Sequence, residues 1–285
     1  MSRLGFLAAA TVIGGGLITA VVLHDPEPTT KAEPAYAVTP SAGAAAPART
    51  GVLPAAGETS THAEPGPVAA ATAPITLRYT FDGGPDQPVT ADDGSHPLLA
   101  LGQNGGALTL VRQGAGLAVE FPRRCTLPTD KQCPRAILEG TRDDDLNPGT
   151  RALRYGASVR MTRADLADGA NVVQKGYSVG GISQFKLQVD HLEGHPSCVL
   201  TGDRRQIHRA EATVDVADGR WHQLTCARTS TELTLSVDGV PRAEVPVPAG
   251  LSVANGEPLR IGGKGPNRGN DQFSGRIDDV FLMIS

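Results

Sequence analysis

The groups best suited to chemistry in this 285-residue chain are its seven histidines, its four cysteines and one run of three aspartates. Asp143-Asp144-Asp145 is the densest acidic run. Hydrolysis by paired carboxylates needs two of them facing one substrate, about 5 Å apart in the retaining case. Successive strand residues point to opposite faces, so three consecutive aspartates cannot share one. The turn formers Asn147-Pro148-Gly149 follow closely, which places the run in a loop. His191, His195, His208 and His222 are scattered, and no G-x-S-x-G accompanies them to supply a nucleophile. No catalytic set is expected. The cysteines offer zinc or disulfide chemistry. Cys125, Cys133, Cys198 and Cys226 contain no C-x2-C pair and no Cys/His cluster of zinc-site spacing. In an exported chain they form two disulfides, for which three connectivities exist. Cys125 and Cys133 flank Pro128 and are expected to staple one loop. Cys198 and Cys226 lie in strand-like runs and are expected to bridge two strands.

Export is read from the N-terminus. Arg3 precedes an uncharged run from Leu4 to Leu23. Twenty helical residues span roughly 30 Å, the thickness of a bilayer core. The clean Ala-x-Ala site, Ala35-Tyr36-Ala37, lies well beyond the run, which favours a signal-anchor helix over a cleaved signal. Gly14-Gly15-Gly16 weakens the helix and favours cleavage. Residues 1–24 are therefore an anchor or a signal, and both readings place the rest outside the cytoplasm. Residues 25–74 are rich in Ala, Pro and Thr and almost free of large apolar side chains, so a disordered stalk is expected.

From residue 75 the period becomes two. Ile75, Leu77, Tyr79 and Phe81 alternate with polar residues, and so do Leu117 to Phe121, Leu153 to Met161, Phe185 to Val189, Leu224 with Cys226, and Leu233 to Val237. Such alternation marks strands with one buried face. Asp93-Gly94, Asp168-Gly169, Asp218-Gly219, Asp238-Gly239 and Asn255-Gly256 read as turns between them. A short helix at Thr162–Leu166 would only close a loop. Residues 75–285 are expected to form one all-β sandwich of two antiparallel sheets. Net charge over the whole chain is −4, which argues against a nucleic-acid partner.

Asp218-Gly219-Arg220-Trp221-His222-Gln223-Leu224 followed by Leu233-Thr234-Leu235-Ser236-Val237-Asp238-Gly239 resembles the laminin G-like repeat. Leu259-Arg260-Ile261-Gly262-Gly263 and Phe273-Ser274-Gly275-Arg276-Ile277-Asp278-Asp279-Val280 match that family's later motifs. Tyr79-Thr80-Phe81-Asp82 resembles its opening strand, and Asn171–Gly176 its central turn. The resemblance implies a concanavalin A-like jelly roll of the secreted bacterial type. Within these motifs Trp221 is expected to anchor the core, with His222 packed beside it or at the surface. Gly262-Gly263 are expected to allow close backbone approach, and Gly275 a tight turn. Related jelly rolls include glucanases, whose E-x-D-x-E strand is not found here, so a glycoside hydrolase is the less favoured reading.

The favoured function is a non-catalytic binding module for a carbohydrate or cell-envelope glycan, with an extracellular protein as the alternative partner. Tyr177, in the Gly-rich stretch 176–181, is the candidate for stacking on a sugar. Asn267, Arg268, Asn270 and Asp271 form a polar loop able to hydrogen-bond hydroxyls. No cofactor is required. A structural calcium is the one expected ion, held by Asp82 at the end of the first strand and Asp278 in the last, which are neighbours in the resembling fold.

Overall fold

A computed structural model describes residues 73–285, apart from 86, 143, 168, 179–181, 191–192 and 203–205. The expected anchor or signal and most of the stalk lie outside the described residues. No described helix is long and apolar enough to cross a membrane.

Among the described residues, fifteen strands run in the order β1 (Ile75–Tyr79), β2 (Leu99–Gln103), β3 (Thr109–Gln113), β4 (Gly116–Phe121), β5 (Arg135–Glu139), β6 (Leu153–Thr162), β7 (Ala170–Gly176), β8 (Gln184–Val189), β9 (Pro196–Thr201), β10 (Ile207–Glu211), β11 (Asp218–Arg228), β12 (Glu232–Val237), β13 (Val240–Pro246), β14 (Leu259–Ile261) and β15 (Gly275–Ile284). They form two antiparallel sheets. The eight-stranded sheet runs β13-β12-β11-β6-β15-β4-β3 with β1 also on β15, and the seven-stranded sheet runs β10-β9-β8-β7-β14-β5-β2. The all-β sandwich is as expected.

Alternation places one row of each strand in the core. Across the seven-stranded sheet Leu138, Ile261, Val173, Leu187, Cys198 and Ala210 lie side by side, all buried. Across the other sheet Leu77, Leu282, Tyr155, Cys226 and Leu235 do the same. Two contacts tie the layers together. The Tyr155 ring meets the Phe185 ring at 4.9 Å, and its hydroxyl donates to the Lys186 carbonyl at 3.1 Å. The Cys198–Cys226 disulfide joins β9 to β11, with Cα atoms 5.7 Å apart, and so bridges the sheets. Cys125–Cys133 staples the loop before β5, with Cα atoms 5.5 Å apart. Both pairings are those expected.

The Asp238-Gly239 turn joins β12 to β13, with φ of +53° and +76°. Two positive values mark the type I′ hairpin, for which Asp-Gly is suited. Asp218-Gly219 is no turn between strands. It lies inside β11, where the pairing with β6 slips between Asp218 and Trp221. Asn171–Gly176 is likewise strand β7 and not a turn; the chain leaves the strand only at Gly176, where φ is +84°. The short helix is a 3-10 turn over Arg163–Asp165, and the Asp165 carboxylate accepts from both the Thr162 N–H and its hydroxyl at 2.8 Å.

Trp221 does not anchor the core. It is half-buried on the outer face, opposite Arg160, while His222 is buried. Strand parity explains the exchange. Leu224 and Cys226 point inward, so His222 must as well, and Trp221 must point out. His222 Nδ1 lies 2.8 Å from Asp238 Oδ2, and Nε2 lies 3.1 Å from Asp218 Oδ1. Burial alone would lower the imidazole pKa, but the two carboxylates outweigh it and raise the value above its usual 6.5. The Asp-Gly-x-Trp-His and Val-Asp-Gly motifs thus meet in an Asp–His–Asp bridge between β11 and the hairpin.

Candidate functional site

The outer face of the seven-stranded sheet carries Glu139, Arg260, Gln174 and Lys186 side by side on β5, β14, β7 and β8. Gln184, two residues before Lys186, shares their face. These are the polar positions of alternating strands, yet Gln174, Gln184 and Arg260 are buried. The covering comes from above. Residues 264–271, between β14 and β15, and Tyr177 with Ser178, after β7, rise over the sheet and enclose a cleft of about 670 Å³.

The loop is built by its flanking motif. Gly262 has a φ of +86°, and a Cβ there would strike the Phe121 ring. That ring packs edge-on against Phe273 at 5.6 Å. Only glycine fits both the backbone and the space. Gln272 then pins the loop down. Its Oε1 accepts the Ala136 N–H at 3.0 Å, while its Nε2 donates to the carbonyls of Ala136, Gly262 and Phe273 at 2.8–3.0 Å. Lys264 N–H donates to the Asn270 carbonyl at 2.8 Å and closes the loop.

The structure brings all five expected ligand residues, Tyr177, Asn267, Arg268, Asn270 and Asp271, to the wall of this one cleft. Their states differ from the expectation. Tyr177 is half-buried, not fully exposed: its hydroxyl donates to the Lys264 carbonyl at 3.0 Å, and the Arg260 guanidinium lies 5.2 Å from its ring centroid. Asn270 is buried, and its amide donates to Gln272 Oε1 at 3.1 Å. Asn267 accepts from Gln103 Nε2 at 2.9 Å. Arg268 pairs with Asp130 at 3.0 Å, and Asp271 with Lys264 at 3.0 Å.

The floor was missed from sequence. Gln174 is already satisfied, accepting from Asn171 Nδ2 and donating to the Gly176 carbonyl, each at 2.6 Å. Arg260 is held by Glu139 at 2.6 Å and Glu257 at 3.1 Å. The side chains of Gln184 and Lys186 have no hydrogen-bond partner among the described residues, and neither is sealed from the cleft. The alternation of Gln184 and Lys186 with Phe185 and Leu187 was the available signal. The cleft's carboxylates, Glu139 and Asp271, are each engaged by a cation.

Two other clusters are scaffold or ion candidates. Oxygen or nitrogen atoms of Asp190, His195 and Glu211 lie within 4.8 Å of one another. However, Asp190 Oδ1 already accepts the N–H groups of Glu193, Gly194 and His195, so it ties the turn before β9. Asp82, expected with Asp278 to hold calcium, lies within electrostatic reach of that aspartate. Asp82 Oδ1 accepts the Leu117 N–H and Asp278 Oδ1 the Asp279 N–H, both at 2.7 Å. Burial pushes the Asp278 carboxyl up to about 6, and the charges of Asp279 and Asp82 add to the rise. Arg78 pairs with Asp279. Asp278 and Asp92 also lie within electrostatic reach of Arg78, and Asp82, Asp278 and Asp279 are not gathered within 4.8 Å of one another as Asp190, His195 and Glu211 are.

Residues 144–283 match the laminin G-like model of the Concanavalin A-like lectin/glucanases superfamily. No curated protein sequence matches the chain. Among solved structures, the binding domain of Paraclostridial Mosquitocidal Protein 1 is similar over 73% of this chain and 48% of its own, at 11% identity and a TM-score of 0.52. Domain 4 of AbnA, an extracellular GH43 arabinanase from Geobacillus stearothermophilus in complex with arabinotriose, is similar over 73% of this chain and 91% of its own, at 12% identity and a TM-score of 0.51. The binding domain of Botulinum Neurotoxin DC in complex with SialylT is similar over 72% and 46%, at 9% identity and a TM-score of 0.50. The chain thus spans about half the length of the two toxin domains. At these identities the likeness is one of fold. Over residues 144–283, the sandwich is thus similar to the concanavalin A-like lectin/glucanases superfamily.

Proposed function

We propose that the sandwich is a non-catalytic, extracytoplasmic glycan-binding module, and that the cleft on the seven-stranded sheet takes the ligand. The observation that carries this is the pair Gln184 and Lys186. They stand on one face of a core strand, open to the cleft, with no internal partner, while the polar side chains around them are paired with one another, the buried Nη1 of Arg260 excepted. A free amide and ammonium on a rigid floor, flanked by an aromatic ring and a polar loop, are groups that a hydroxyl-rich ligand satisfies. The similar folds seen with arabinotriose and SialylT lend support by analogy. The exposed large apolar side chains among the described residues, Leu99, Leu127, Ile207, Val240 and Met283, lie on five separate segments. Two disulfides fit an oxidising compartment. The segment 4–23 would tether the module to the cell surface, or be removed on secretion.

The purified full-length chain on a glycan array and in a cell-wall pull-down tests the reading. Enrichment over a heat-denatured control, lost in Gln184→Ala, is expected. No enrichment, or enrichment that Gln184→Ala leaves intact, contradicts it.

Calcium is proposed at Asp82 and Asp278, where it would fasten β15 to the loop after β1. A chelator is then expected to lower the melting temperature. An unchanged melting temperature removes the ion from the account.

A further inference from the structure

The cations around the cleft can be matched to carboxylates one by one. Arg260 pairs with Glu139 and Glu257, and Arg142 also reaches Glu257 at 3.0 Å. Lys264 pairs with Asp271, and Arg268 with Asp130. Lys186 remains. Its ammonium has no ion pair and no hydrogen bond among the described residues. The charged groups within electrostatic reach of it are Asp271, Lys264 and Arg209, and Asp271 gives its Oδ2 to Lys264. Burial lowers the Lys186 pKa, and the attraction of Asp271 does not offset it.

The position is held firmly. The Lys186 backbone lies between β7 and β9, and its carbonyl accepts the Tyr155 hydroxyl from the opposite sheet. The ammonium therefore cannot leave the cleft by moving its strand. A neutral ligand covering it would remove more water and return nothing. An anionic group would supply the missing countercharge inside a partly desolvated site, where a charge-assisted hydrogen bond is strongest. The same balance that favours the anion rejects its neutral counterpart.

We propose that the ligand of this cleft is an acidic glycan, and that Lys186 receives its anionic group while Gln184 binds a neighbouring hydroxyl. The inference rests on the glycan-binding reading above and narrows it from glycans in general to acidic ones. An ammonium is a compact point charge without a fork geometry, so carboxylate, sulfate and phosphate sugars all fit its chemistry.

The test is an array that carries uronic-acid, sialylated, sulfated and phosphorylated glycans beside their neutral counterparts. It is probed with the full-length wild-type chain, Lys186→Met, Lys186→Gln and Gln184→Ala. The wild type is expected to prefer acidic over neutral partners at least tenfold, and to lose that preference at high salt. Both Lys186 variants should lose the preference while melting like the wild type; if Lys186→Met does not fold, Lys186→Gln carries the comparison. Arms of the array separate the three anion types. Neutral glycans bound as well as acidic ones, with loss in Gln184→Ala, would overturn this inference and leave the glycan reading standing. A preference that survives both Lys186 variants would overturn it too. Absence of any bound glycan overturns both.

Discussion

The outer faces of the two sheets are alike in sequence pattern and unlike in structure. On the eight-stranded sheet Arg154, Arg160 and Gln223 alternate with core residues and are exposed to water. On the seven-stranded sheet Gln174, Gln184 and Arg260 alternate with core residues in the same way and are buried. The difference is made by the segments that cross above: residues 264–271, pinned by Gln272, and Tyr177 after β7. A polar row becomes a site when something covers it, because covering removes water and forces each group to find a partner or to wait for one. Within the cleft the comparison sharpens to two cations. Arg260 is paired with both Glu139 and Glu257, whereas Lys186 has no ion pair or hydrogen bond among the described residues and feels only the more distant Asp271, which Lys264 already holds.

The largest expected effect breaks the frame that holds both faces. Cys198–Cys226 joins the sheets, and replacing both cysteines by serine should lower stability by about 3 kcal/mol or more. The same double change at Cys125 and Cys133, which closes a short loop in one region, should cost less. Thermal melts under non-reducing conditions compare the two, and equal losses would count against the inter-sheet role.

The next effect separates the two cations. Arg260→Met leaves Glu139 without its cation and should cost about 2–4 kcal/mol in denaturant unfolding. Lys186→Met removes a partly buried charge that has no ion pair, and should leave stability unchanged or slightly higher. Were both to cost the same, Lys186 would have a structural partner and the contrast would fail.

His222 offers a third contrast, a cation whose carboxylates are both in place. Its folded pKa is raised and that of Asp238 is lowered. For Asp238, burial opposes the shift, and the hydrogen bonds from His222 and the Gln223 N–H outweigh it. The imidazole's contribution is full below its usual 6.5 and fades as pH rises through the higher folded value. The Asp238 contribution is full above its usual 3.8 and fades as pH falls through the lower folded value. His222→Gln should therefore cost about 1–2 kcal/mol near pH 6 and less near pH 9, read as the difference between wild-type and variant unfolding curves. A difference independent of pH would remove the ion pair from the account. Trp221→Ala, on an exposed face, should be the mildest of these changes, about 1 kcal/mol. A loss comparable to that of a core aromatic, about 3–5 kcal/mol, would return Trp221 to the core.

Much of this was legible in the residues. Strict alternation found β1, β4, β6, β8, β11 and β12, because each has one wet and one dry side. Asp238-Gly239 found the hairpin, because few other pairs accept two positive φ angles. Tyr177 and the 267–271 loop were found as polar or aromatic residues among turn formers, and the fold brings them to one cleft. What was illegible depends on neighbours distant in sequence. Gln184 and Lys186 are indistinguishable by pattern from exposed strand residues such as Arg154, and only the overhanging loop sets them apart. Asn270 is polar and in a loop, yet the Gln272 network buries it. Trp221 was read by residue type, where strand parity carried the answer. β2 and β3 are mostly exposed or half-buried, so their sequences show no dry side to detect.

The most direct test of the central claim is titration of an array-selected glycan into the full-length wild type, Gln184→Ala and Lys186→Met, with melting curves recorded on the same samples. The account predicts affinity reduced at least tenfold in each variant while the melting temperatures stay at the wild-type value. Wild-type affinity in both variants would contradict it, and would place the ligand somewhere other than this cleft.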